Sequence, residues 1–64
     1  MKKKILIISG GISKEREISV ATGKQVSQTL KKNGYKVRTS EPNENLLKTI
    51  NFFKPNIIFN ALHG

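Results

Sequence analysis

The run Lys4-Ile5-Leu6-Ile7-Ile8, closed by Ser9-Gly10-Gly11, restricts the fold more than any other segment. Four consecutive branched aliphatics do not alternate with polar residues, so neither face of an extended segment is reserved for water. A short strand of this kind is buried on both faces, as in parallel sheets. The chain has 64 residues and is at most one small domain. A domain of that size hides only about 60% of the surface its unfolded chain exposes. With no cysteine there is neither a disulfide nor a thiolate metal site. One histidine and four glutamates, with no aspartate, leave little for a metal cage, and none is expected. Support from a partner or from further chain is the expectation.

Beyond the first run the period changes. Ile18, Thr22, Val26 and Leu30 recur every fourth residue, with Ala21 and Thr29 beside them, and predict an amphipathic helix from about Glu15 to Asn33. Lys31 and Lys32 suit its last turn, and Gly34 its C-terminal cap. Gly23 lies inside the helix at a cost of about 1 kcal/mol relative to alanine; a close approach of another backbone would account for it. Tyr35 to Thr39 alternates apolar and polar and predicts a half-exposed strand nearer an edge. Pro42 opens a second helix with Leu46, Leu47, Ile50 and Phe53 on its apolar face, and Pro55 stops it. Asn56 to Ala61 reads as another strand of the buried type. Strand, helix, strand, helix, strand at this spacing predicts an α/β fold, an incomplete βαβαβ unit on a short parallel sheet.

The charge is net +8, from 12 lysines and arginines against four glutamates. Lys2, Lys3 and Lys4 cluster and Lys31 and Lys32 pair, but no arginine-rich run or aromatic interleaving of the RNA-binding kind accompanies them. No nucleic-acid partner is expected. The apolar run of four residues is too short for the roughly 7–15 of a secretory signal core. No stretch approaches the ~20 apolar residues of a membrane span. A cytoplasmic protein without a membrane partner is expected.

In open α/β folds chemistry gathers at the carboxyl ends of strands. Two segments occupy such ends: Ser9 to Glu17 and Leu62 to Gly64. In the first, paired glycines permit a tight turn, Ser13 is placed to cap the helix, and Glu15, Arg16 and Glu17 follow. The spacing is neither GxGxxG nor GxxxxGK[ST], so a phosphate loop is not indicated. A carboxylate here suits a substrate ammonium group; equally, Glu15 and Glu17 could do no more than complement the helix dipole. In the second, His63 past a strand end is placed to face a ligand, although a lone histidine is as readily structural. Ser13, Glu15 and His63 would converge on one crevice.

Gly10-Gly11-Ile12-Ser13-Lys14-Glu15-Arg16-Glu17-Ile18-Ser19 after an opening strand, with Ala61-Leu62-His63-Gly64 after a later one, resembles the start of the D-alanine–D-alanine ligases. The resemblance extends over essentially all 64 residues. It implies a three-layer, Rossmann-like pre-ATP-grasp unit, residues 1–64 forming a truncated N-terminal domain without the central and ATP-grasp domains. It implies an enzyme that joins two D-alanines for peptidoglycan, with ATP and Mg2+ (or Mn2+) as cofactors of the full-length family, none of them bound by this segment. Glu15 would be catalytic and hold the ammonium of the first D-alanine, with Ser13 and His63 as further substrate-binding residues. The full-length family would be a homodimer, and this segment alone inactive. The alternative is a free-standing α/β ligand-binding module without catalysis.

Overall fold

The structure, a computed structural model, describes residues 3–62. Five elements follow in the expected order: β1 (Lys4–Ile8), α1 (Arg16–Lys32), β2 (Lys36–Ser40), α2 (Leu46–Phe53) and β3 (Ile57–Asn60). The strands form one parallel sheet in the order β2-β1-β3. No helix among the described residues is long and apolar enough to cross a membrane.

The uninterrupted apolar run became the central strand. Ile5, Leu6 and Ile7 are buried, with Leu6 and Ile7 fully enclosed. Register explains why both faces are covered. Ile5 lies level with Val37 and Ile57, and these share a face with Ile7, Thr39 and Phe59. On that face Val26, Leu30 and Val37 pack against Ile5, Ile7 and Ala61, so α1 covers it. Leu6 belongs to the other face with Lys4 and Arg38, and the buried Phe53 of α2 lies there, its ring 5.7 Å from both the Lys4 ammonium and the Arg38 guanidinium. The helices thus take opposite faces, giving three layers. The two crossovers run in opposite directions along the sheet with opposite faces covered, so they share one hand.

α1 is rotated relative to the expectation. Ser19, Gly23 and Ser27 are buried, Val26 and Leu30 are half-buried, and Ile18 is 53% exposed. Ala21 and Thr29 face solvent as well. The buried stripe follows the same helical spacing as the apolar one, displaced by about one residue. Small side chains let the helix lie close to the sheet. A Cβ on Gly23 would stand 2.8 Å from Cβ of Ser9, so the close approach expected there is made by a side chain at the end of β1.

The ends of the elements also differ in detail. β2 spans Lys36–Ser40, one residue later than read, because Tyr35 donates its amide to Leu30 O and Lys36 to Lys3 O. α2 ends at Phe53 and is capped by Lys54, which takes a left-handed conformation (φ 52°) before Pro55. β3 departs most. It was expected to be buried, yet it is an edge of this sheet, with Ile57, Ile58 and Phe59 between 40% and 48% exposed. α1 packs mainly on β1 and β2, and neither helix packs closely over β3.

Candidate functional site at the carboxyl edge of the sheet

Backbone pairing continues past the strands at their carboxyl ends. Ser9 N donates to Ser40 O at 3.0 Å and Ala61 N to Ile8 O at 2.8 Å. The segments leaving the three strands therefore start side by side. Gly10 and Gly11 then turn with φ of 91° and 87°, which side-chain-bearing residues rarely adopt. The turn carries Ile12, Ser13 and Lys14 outward to the start of α1.

The amides of this turn are already engaged. Gly10 N donates to the Ser19 hydroxyl at 2.8 Å, and Gly11 N donates to Glu41 Oε1 at 3.3 Å. Arg16 donates from Nη1 to Gly11 O at 2.9 Å and binds the Glu41 carboxylate with both Nη atoms. With both glycine amides bonded internally and Arg16 paired with a carboxylate, these groups are not free to cradle a phosphate.

Ser13 and Glu15 lie together at the entrance of α1. Glu15 is the N-cap residue, but its side chain makes no capping bond. Its amide donates to Ser13 Oγ at 3.0 Å, and Arg16 N donates to Ser13 O at 3.1 Å. Ser13 therefore organises the turn before the helix instead of capping it, and α1 starts at Arg16. Glu15 is half-buried, and the guanidinium next to it in sequence is held by Glu41. The third candidate, His63, lies outside the described residues. Its strand end comes close to the turn: a Cβ on Gly11 would be 3.7 Å from Leu62 Cδ2, and the Ser19 hydroxyl donates to Ala61 O at 2.7 Å. Among the described residues no cluster of three histidines or carboxylates could hold a metal ion.

Comparison with known proteins bears on what this edge belongs to. The chain is 70% identical over all 64 residues to the D-alanine–D-alanine ligase of Pelagibacter ubique (strain HTCC1062), of which it covers 21%. Its sequence family is that of the D-alanine–D-alanine ligases. Enzymes of the same name match from Ruegeria sp. (strain TM1040), at 39% identity over 95% of this chain and 20% of theirs, and from Rickettsia canadensis (strain McKiel), at 41% over 98% of this chain and 18% of theirs. All match through their N-terminal part, and the chain spans about one fifth of the length of these curated ligases. No family model matches the chain.

Two elements of this ligase segment were not foreseen from the sequence. Ser19 lay inside the quoted motif without a role, and Glu41 lay outside it. Glu41 could have been found by register. Ile8 pairs with Ser40, so the residue after Ser40 must emerge beside the turn that begins at Ser9. The Arg16 guanidinium and the Gly11 amide hold the Glu41 carboxyl far below its usual value, down to about 2. Because the folded pKa is depressed, its contribution to stability is present above the unfolded value of 4.5 and is lost as pH falls towards 2. Both side chains are more than two-fifths exposed, so the effect is modest and screened by salt. Acid unfolding of the ligase segment followed by circular dichroism is expected to be shallower between about pH 5 and 2 for Glu41→Gln than for the parent. The difference should shrink in 1 M salt. Parallel curves at both salt concentrations would contradict the pairing.

Proposed function

We propose that this chain forms one wall of the substrate site of an ATP-dependent D-alanine–D-alanine ligase of bacterial cell-wall synthesis. In this reading Glu15 holds the ammonium of the first D-alanine, and Ser13 and His63 border the same substrate. The observation that carries it is the arrangement at the entrance of α1: Glu15 is half-buried there while Arg16 is drawn to Glu41. A carboxylate left without its adjacent guanidinium suits an ammonium ligand, and a charge-assisted bond of that kind is about twice as strong as a neutral one. Holding two small zwitterions in line is most of what such a ligase must do.

ATP would activate the carboxyl group of the first D-alanine and Mg2+ would balance phosphate charge. The described residues do not fit either one, since the glycine-turn amides and Arg16 are engaged and no donor cluster exists. Those groups belong to parts of the enzyme beyond this segment, which works in the cytoplasm and is inactive alone.

A chimera tests the reading. The first 64 residues of the Pelagibacter ubique ligase, 70% identical and aligned throughout, are replaced by this chain. The chimera should form D-alanyl-D-alanine. Glu15→Gln should lower kcat/KM for D-alanine roughly 10–100-fold, the size of a lost charge-assisted bond, with KM for ATP unchanged. An inactive but folded chimera, or equal loss towards both substrates, would overturn the assignment.

A further inference from the structure

Ser19 is a polar side chain that touches both strand-end segments. It is fully buried, with a relative exposure of 0%. Its Oγ accepts the Gly10 amide at 2.8 Å and donates to Ala61 O at 2.7 Å. Its own amide donates to Glu15 O at 3.0 Å, within the first turn of α1. Three backbones thus meet at one residue: the glycine turn after β1, the helix start that bears Glu15, and the end of β3 that leads into His63. Each strand-end bond is made at the same oxygen, and a hydroxyl is the smallest side chain that accepts and donates at one atom.

We propose that Ser19 is a positioning residue for the D-alanine site, its hydroxyl fixing the separation between the Glu15 loop and the strand end at Ala61. This inference rests on the function proposed above. Alanine at position 19 removes both bonds and leaves the Gly10 amide and the Ala61 carbonyl buried without partners. The two segments are then free to drift, and a misplacement of about 1 Å at a reacting group can cost 10²-fold in rate. Ser19 itself touches no substrate in this scheme.

The test uses the same chimeric ligase. Ser19→Ala should lower kcat/KM for D-alanine roughly 10–100-fold at a temperature well below its unfolding midpoint, with KM for ATP unchanged. Ser19→Thr keeps the hydroxyl and should recover most of the loss, which a packing role alone would not produce. In the parent chimera the Gly10 amide should exchange with solvent much more slowly than that of exposed Lys14. Full activity in a folded Ser19→Ala variant overturns the proposal, as does rapid Gly10 exchange in the parent, which requires no variant to fold. Loss of the Glu15→Gln effect would sink the underlying function instead, so the two failures are told apart.

Discussion

Leu6→Ala is expected to remove most of the chain's stability. Leu6 is fully enclosed on the central strand, covered on the face where Phe53 of α2 is buried. Truncating a buried leucine costs about 2–5 kcal/mol, from lost transfer free energy plus the cavity left behind. A domain of this size holds roughly 3–5 kcal/mol in its single core. The substitution therefore consumes most of the margin, and urea unfolding should shift to a far lower midpoint or lose its native baseline. Ile18→Ala is the informative control. The apolar period put Ile18 against the core, yet it is 53% exposed, so its truncation should cost within about 0.5 kcal/mol, as for other surface changes. Equal losses from the two substitutions would contradict the rotation of α1.

Gly23→Val should destabilise the chain by about 2–3 kcal/mol, against the direction of helix propensity. At an open helical position a valine gains a few tenths of a kcal/mol over glycine. Here a Cβ would meet Ser9 Cβ at 2.8 Å and Ser9 Oγ at 2.9 Å, closer than real side chains approach. Ser9 is itself buried at the end of β1, where its amide is paired with Ser40 O, so it cannot retreat without moving the sheet edge. Overpacking of this kind costs about 1–3 kcal/mol. The pair Ser9→Gly with Gly23→Val opens the space and should recover at least about 1 kcal/mol, a coupling expected of touching residues. Additive losses in that double-mutant cycle would show that the contact with Ser9 is not what keeps position 23 small.

Exposure of β3 has a similar local cause. Its sequence reads as buried because Ile57, Ile58 and Phe59 do not alternate with polar residues. In this sheet it has one neighbour, β1, and neither helix packs closely over it. The other edge strand, β2, carries Lys36 and Arg38, charges of the kind that protect natural edges. β3 carries none, so composition marks it as a strand meant to be covered, and its exposure is a property of what surrounds it here.

Local patterns were enough to define the order of the five elements, the burial of Ile5 to Ile7 from both faces of the sheet and the strand-end turn that carries Ser13 and Glu15. Those features rest on period and on backbone-breaking residues, which act over a few positions. Which side of α1 meets the sheet, the bridging role of Ser19 and the Arg16–Glu41 pair came only with the tertiary structure. They depend on residues 25 to 42 positions apart being brought to hydrogen-bonding distance, and on small side chains winning the inner face because they permit a closer approach than Ile18 would.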